Sequence, residues 1–450
     1  MKTKTTVILL IALIALGAYV YFYEIKGGEA RKKEKEAAAQ LVSFKTDSVK
    51  QVTLIRPSGN FHFQAVRQDE EWKIVQPVQS EGDKFAIEGL INAVVNSRVE
   101  RVVAEDTSDL KDFGLKPPQA LVILQEKSGK KDTIAVGNKN PTDTFLYIHR
   151  DHLPKVELTS TSLSYQITKG LFDFRDKTVL PFDKGKVVKV EIWGPTSHFV
   201  IEKSGDDWFL KSPVHKKADK TEVEKILNRV RGARASAFVA EKAENLRKYG
   251  LKPPKYKVTF TLEPNKAEKT LLIGKKKDDD HYYAKDASRN PIMSISSSVV
   301  DVLGPTTFDL RDKTVLAFKR NDISRIELVY PDSTIICEKD TANNWKITFP
   351  DSAKAKSWKI SSLLTAMTGL KAKEFLPGTK SMFARAGLKN PKLLVRLYDK
   401  DKHFVESLSI GKNYDDQKTY VTNHKKEEVF GVASKDLNNI KVKLKDLKSD

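Results

Sequence analysis

The chain has 450 residues, of which 40% are hydrophobic and 31% charged. Lys and Arg number 79 against 59 Asp and Glu, a formal charge of +20 spread along the chain rather than gathered in a tail. The length exceeds one ordinary domain, and a single cysteine, Cys337, excludes an intrachain disulfide or a cysteine metal cluster. A dispersed basic excess suits a surface facing anionic lipid, cell-wall polymer or nucleic acid, or serves solubility alone.

Lys2 and Lys4 precede an uncharged run from Thr5 to Tyr23. At about 1.5 Å per residue this run nearly spans a hydrocarbon core of ~30 Å. Tyr19, Tyr21, Phe22 and Tyr23 make an aromatic belt at its far end. The run ends in aromatics, not in the small residues of a cleavage site, so residues 1–25 read as an uncleaved transmembrane anchor. Residues 26–40 read as a charged juxtamembrane linker, with a break at Gly27-Gly28 and a short solvated helix from Glu29 to Gln40. The Lys and Arg on the two flanks give no clean orientation. A long body usually translocates behind such an anchor, so the bulk is expected outside the cytoplasm, in the periplasm of an inner-membrane protein.

Beyond the anchor one pattern is written three times. Phe113-Gly114-Leu115-Lys116-Pro117-Pro118 returns as Tyr249-Gly250-Leu251-Lys252-Pro253-Pro254 and as Ala386-Gly387-Leu388-Lys389-Asn390-Pro391, at spacings of 136 and 137. A period of that size means three units, each large enough for its own core. We place them at 41–182, 183–318 and 319–450.

Each unit opens with an alternating strand: Val49 to Pro57, Val187 to Pro195, Ile323 to Pro331. A hairpin partner reaches a Trp with a Pro five residues on, at Trp72, Trp208 and Trp345, which read as core anchors. An amphipathic helix follows. Its apolar stripe is Ile87, Leu90, Ile91, Val94; then Val223, Ile226, Leu227, Val230; then Ile360, Leu363, Leu364, Met367. Each set keeps the i, i+3, i+4, i+7 spacing of one helix face. Arg98, Arg234 and Lys371 each stand 26 residues past their Trp, either as solvated strand entries or as residues lining an anionic ligand.

A short strand comes next (Val102-Val103-Ala104, Phe238-Val239-Ala240, Phe375-Leu376) and then a short helix stopped by Gly114, Gly250 or Gly387. Glycine at that position adopts the left-handed conformation without steric cost, and the Pro beyond cannot continue a helix. Leu115 is expected against Leu110, Leu251 against Leu246, and Leu388 against Phe383. A second hairpin ends in Val136-Gly137, Ile273-Gly274 and Ile410-Gly411, and a further strand carries Tyr147, Tyr283 and Tyr420. A Ser/Thr-led short helix closes the unit at 160–168, 296–303 and 434–440. The fold class is α+β: three tandem repeats of antiparallel β-hairpins covered by helices, preceded by one transmembrane helix.

The handover between units is Phe172-Asp173-Phe174-Arg175-Asp176-Lys177-Thr178-Val179-Leu180, repeated 136 residues later as Phe308-Asp309-Leu310-Arg311-Asp312-Lys313-Thr314-Val315-Leu316 and faded at Lys445-Asp446-Leu447-Lys448. Its paired carboxylates could do acid–base work, but the adjacent Arg and Lys favour ionised carboxylates in salt bridges. Arg175, Asp176, Arg311 and Asp312 are therefore read as structural. With no Gly/Ser linker, the units should form a rigid row. His149 and His152 lack a third metal ligand, and Asp278-Asp279-Asp280-His281 lacks the Gly and Glu of a calcium loop. No nucleotide-binding, hydrolase or zinc-protease motif is present.

The Trp–Pro hairpin, the Gly-Leu-Lys-Pro-Pro stop, the Ile-Gly strand end, the later Tyr and the Phe-Arg-Asp-Lys junction together resemble a bacterial family, domain of unknown function 4340, over nearly everything after residue 41. Ala386 and Asn390 depart from its pattern, which puts the third helix stop in doubt. The resemblance implies an N-terminal membrane segment and an envelope role accessory to ABC-type transport systems, with no catalytic residues carried over. The expected function is a non-catalytic scaffold or binding component with no cofactor and no metal. Its expected partners are the membrane, other envelope or transporter proteins, and an anionic polymer or lipid, in preference to nucleic acid. The alternatives are an envelope enzyme acting on cell-wall glycan and a polyanion-binding protein.

Overall fold

The computed structural model describes residues 3–26 and 39–449. The expected break at Gly27-Gly28 and nearly all of the expected linker helix lie outside those residues. The chain divides into two compact units, Met1–Thr178 with Arg234–Phe238, and Val179–Ala233 with Val239–Asp450. The division falls inside the first handover.

Three nine-stranded antiparallel sheets carry the fold. The strands of the first are β1 Val49–Arg56, β2 Phe61–Gln68, β3 Glu71–Gln76, β4 Ser80–Glu81, β5 Val99–Ala104, β6 Ala120–Glu126, β7 Lys131–Lys139, β8 Phe145–Arg150 and β9 Val156–Ser160. Their spatial order is β4-β3-β2-β1-β6-β7-β8-β9-β5. The second and third sheets, over 187–296 and 325–433, repeat that order. The three copies also share a register. Val52 and Leu54 face Ala65 and Phe63 on one side and Leu124 and Val122 on the other. Val190 and Ile192 face Ile201 and Phe199, then Phe260 and Val258. Ile326 and Leu328 face Cys337 and Ile335, then Leu397 and Val395. Cys337 thus occupies the place of Ala65 and Ile201, and burial pushes its thiol pKa up to about 12.

The covering helices run Lys84–Val95, Lys220–Arg231 and Ser357–Gly369. In each, the buried residues are the four of the stripe read from the sequence. Burying four such side chains is worth roughly 6–12 kcal/mol before conformational entropy is charged against it. Asp83 and Asp219 cap the first two helices with side-chain bonds to the first-turn amides. The three tryptophans sit alike: all are buried, and the carbonyls of Trp72, Trp208 and Trp345 accept from the amides of Gly82, Ala218 and Ala355.

The sheets hold two strands per repeat that the sequence does not announce. One is the two-residue strand of the β4 type. The other is the β9 type, Val156–Ser160, Ile292–Ser296 and Glu428–Ala433. The latter is buried along its length, so it shows no alternation of apolar and polar residues. Glu157 and Thr159 tolerate burial because they are bonded, Glu157 to Arg150 at 2.6 and 2.8 Å and Thr159 to the Arg98 carbonyl at 2.9 Å.

The first helix differs from expectation. Among the described residues no helix is long and apolar enough to cross a membrane. The α-helical part, Thr3–Tyr19, has 17 residues, and Val20–Lys26 continues it as a π-helix. At about 1.5 Å per residue the α-helical part falls short of a ~30 Å hydrocarbon core.

Candidate functional site

The three Gly-stopped turns are the most closely repeated local feature. Gly114, Gly250 and Gly387 have φ of 67°, 67° and 68°. Leu115, Leu251 and Leu388 donate their amides to the carbonyls of Leu110, Leu246 and Phe383, each at 2.9 Å. The glycine amides reach Lys111, Arg247 and Ala384 at 3.0, 3.0 and 3.1 Å. These are the two bonds of a Schellman cap. The cap is constant although the helix before it is not. Copy one has only turns, copy two a 3-10 helix at Leu246–Tyr249, and copy three an α-helix at Lys380–Arg385. The expected helix is therefore absent from copy one, where Asp106 instead draws the amide of Ser108 into a local turn. Asn390 and Ala386 do not loosen the third stop.

Each turn docks on the strand that carries Val136-Gly137, Ile273-Gly274 or Ile410-Gly411, which runs two residues beyond the expected end, to Lys139, Lys276 or Asn413. Asn138 and Lys412 donate their amides to the carbonyls of Phe113 and Ala386 at 2.9 and 2.8 Å. A Cβ on Gly137, Gly274 or Gly411 would meet the carbonyl oxygen of Phe113, Tyr249 or Ala386 at 2.3, 2.1 or 2.1 Å. The second glycine is thus required by the approach of the first turn. Aromatic contacts seal the dock: Phe113 lies 4.8 Å from Tyr147, and Tyr249 5.1 Å from Tyr283. Copy three has Ala386 in place of that aromatic residue, and Tyr414 supplies the ring instead, 4.9 Å from Tyr420.

The handover charges are absorbed by packing. Asp173 accepts from the Gly170 amide, Asp309 from the Thr306 amide and hydroxyl, and Asp446 from the Lys443 amide. The hydroxyl and amide of Thr306 hold the Asp309 carboxyl below the usual carboxylate range. Asp176 and Asp312 accept from the amides of Thr178 and Thr314, both at 2.9 Å. Arg175 is 2% exposed, with its guanidinium 3.5 Å from the Phe238 ring; Arg311 lies 3.6 Å from Phe375. Arg311 also pairs with Glu428 at 2.7 Å, and Lys216 reaches Glu427 at 3.2 Å.

The backbone of the same segment closes two edges. Asp176 and Asp312 donate their amides to Glu81 and Lys217, next to the bridges Gly82–Arg175 and Ala218–Arg311. A few residues on, Lys177 and Lys313 accept from Ala235 and Ala372. One side chain per repeat then grips the carbonyl that follows: Arg150 at Leu41, Arg289 at Val179, Asn423 at Val315.

Arg98, Arg234 and Lys371 occupy matching bridges, opposite Gln40, Thr178 and Thr314. Arg234 donates to Asp176 at 3.1 Å and to Thr178 at 2.5 Å, and Lys371 donates to the Thr314 hydroxyl at 2.8 Å. His149 is bonded to the Lys155 carbonyl, and His152 stands 4.0 Å from Asp132. Asp278 accepts from His281 at 2.8 Å, which holds its carboxyl low, and from the Asp280 amide, closing its hairpin turn. The sequence reading overlooked Asp399, Asp401 and His403, whose ligand atoms lie within 4.8 Å of one another. Asp399 there accepts the amides of Asp401 and His403, so the cluster closes a turn.

The sheets and their junctions define a tandem α+β repeat protein whose recurrent motifs are packing devices. The chain belongs to the family described as Domain of unknown function (DUF4340), which matches residues 72–239, 208–344 and 345–450. Those segments begin on Trp72, Trp208 and Trp345. No curated protein matches the chain. Among solved structures, a DNA polymerase sliding clamp from Pseudomonas aeruginosa with ligand aligns at 7% identity over 88% of this chain and 94% of that one, with a TM-score of 0.13. The DNA polymerase III subunit beta from Pseudomonas aeruginosa aligns at 7% identity over 88% and 95%, with a TM-score of 0.14. At these scores neither likeness carries an argument.

Proposed function

We propose that the chain is a membrane-tethered, non-catalytic scaffold or binding component of the cell envelope, with its three repeats outside the cytoplasm, accessory to an ABC-type transport system. The observation that carries the tether is the first helix. Its apolar residues run round the whole circumference, with Leu10, Leu13, Ile14 and Phe22 each more than half exposed. A helix apolar on all sides needs an apolar surrounding. The π-turns Val20–Lys26 continue the α-helix, and Tyr19 to Tyr23 provide the interfacial aromatics. The scaffold part is supported by the use of the handover charges as caps and clamps.

Membrane fractionation with a carbonate wash, followed by protease added to spheroplasts, tests this reading. The full chain should stay with the membrane, a chain lacking residues 1–26 should be released, and added protease should digest the repeats. Release of the full chain by carbonate, or protection of the repeats in intact spheroplasts, would overturn it.

A further inference from the structure

Repeat two has an open cleft of about 800 Å3 at one end of its sheet. Lys186, Lys189, Lys203 and Lys266 line it, with Glu202 and Glu263, leaving two positive charges in excess. The walls are the start of the strand Val187–Trp193, the end of His198–Ser204 and the turn after Tyr256–Leu262. The Glu263 amide donates to the Lys186 carbonyl at 2.8 Å and fixes the turn against the first wall.

The shared register shows what occupies the same place in the other repeats. In repeat one, Ser48 and Arg67 stand where repeat two has Lys186 and Lys203. Ser48 donates to Glu126 at 2.7 Å, and Arg67 pairs with Glu88 at 2.8 Å and donates to the Asp47 carbonyl. In repeat three, Arg325 and Tyr398 stand where repeat two has Lys189 and Thr261. Arg325 pairs with Glu327 and Glu338, and Tyr398 donates to Glu327 at 3.2 Å. In repeat one the matching side chains are bonded within their own repeat, and in repeat three an arginine and a tyrosine, both bonded to Glu327, stand where repeat two has a lysine and a threonine. In repeat two, Lys189 pairs with Glu191 at 3.2 Å and Lys266 with Glu263 at 2.9 Å. Among the described residues Lys186 and Lys203 make no ion pair.

We infer that this cleft is a binding site for a phosphate-bearing anion, with Lys186 and Lys203 as its principal charges and Lys189 and Lys266 recruited from their glutamates on binding. The ammonium groups are point charges that adapt to an oxyanion of no fixed orientation. The Thr261 hydroxyl offers a neutral donor on the same wall. The same chemistry is met in a soluble phosphorylated molecule and in a phospholipid headgroup. The inference is independent of the proposed tether, because the cleft lies within repeat two.

The test uses the full chain in detergent micelles or nanodiscs. Inorganic pyrophosphate is titrated by calorimetry, and flotation compares phosphatidylglycerol with phosphatidylcholine vesicles. The parent should bind at least one probe saturably. The paired change Lys186→Gln with Lys203→Gln should weaken that binding about tenfold or more, the size expected on losing one or two charge-assisted bonds. Lys339→Gln, at the matching place in repeat three, should leave it unchanged. Pyrophosphate binding would identify a soluble ligand, and selective flotation with phosphatidylglycerol alone would identify a headgroup; either supports the site. Saturable binding of neither probe, or equal weakening by the repeat-three control, overturns it.

Discussion

The guanidinium carbon of Arg311 lies 3.6 Å from the centroid of the Phe375 ring. One Arg311 nitrogen meets Glu428 at 2.7 Å, so a nearly buried charge is met on one side by a ring face and on the other by a carboxylate. Arg175 stands over Phe238 in the same way at the first handover. A partly desolvated cation–π pair contributes about 1–2 kcal/mol, and the charge-assisted bond to Glu428 adds to it, although Lys216 at 3.7 Å still faces that carboxylate when the arginine is lost.

Arg311→Ala should therefore lower the free energy of unfolding by about 2–3 kcal/mol, against about 1–2 kcal/mol for Phe375→Leu. A double-mutant cycle followed by chemical denaturation should show the two changes coupled. Strictly additive losses would mean that the ring and the guanidinium are mere neighbours.

The glycines separate two kinds of requirement. Gly387→Ala meets left-handed backbone and the flexible side chain of Lys412, a loss of about 1–2 kcal/mol. Gly411→Ala drives a Cβ into the backbone carbonyl of Ala386, which cannot rotate away. It should cost more, about 2–3 kcal/mol, with displacement of the turn. Thermal unfolding of the two single variants ranks them, and the reverse order would refute the docking account.

Tyr414 should matter because Ala386 is small. Tyr414→Ala removes the ring beside Tyr420 and the hydroxyl bond to Glu374 at 3.2 Å, and should lower the thermal midpoint. Adding Ala386→Phe, which restores the residue type of the other repeats, should recover part of the loss. A double variant no more stable than Tyr414→Ala would sink the idea that one ring stands in for the other.

Cys337 gives a pH signature. Burial raises its folded pKa from 9.0 to about 12, so the folded state keeps a proton that the unfolded chain loses. Stability from this group is complete below pH 9 and declines as pH rises towards 12, by up to about 1.4 kcal/mol per pH unit. The difference in unfolding free energy between the parent and Cys337→Ala, measured from pH 8 to pH 11, should shrink with pH. A difference independent of pH would show that the thiol titrates normally.

Much of the fold was legible because its signals are local. A helix stripe such as Val223, Ile226, Leu227 and Val230 declares its period within eight residues, and Gly250 followed by Leu-Lys-Pro-Pro declares its cap. What stayed hidden depends on distant partners. Val156–Ser160 could not be read as a strand because burial on both faces erases alternation, and its Glu157 makes sense only beside Arg150. Arg175 and Arg311 were recognisable as structural from their charged neighbours, yet the rings they cover lie 63 and 64 residues away. Arg98, Arg234 and Lys371 are exposed, as solvated strand entries would be, but the threonines that Arg234 and Lys371 bond lie more than fifty residues earlier in the chain. The cleft lysines gave no signal, since Lys186, Lys203 and Lys266 come together only once the strands Val187–Trp193 and His198–Ser204 and the turn after Leu262 are folded beside one another.

The handover offers one more consequence. It meets the next repeat with the same chemistry at residue 175 as at residue 311, an arginine over a phenylalanine at matched distance. A gene in which residue 178 ran directly into residue 315 would bring Arg175 to the position that Arg311 holds before Phe375. Array length is then an evolvable quantity: unequal recombination can shorten or lengthen the series by whole periods, and no new contact surface has to be invented each time.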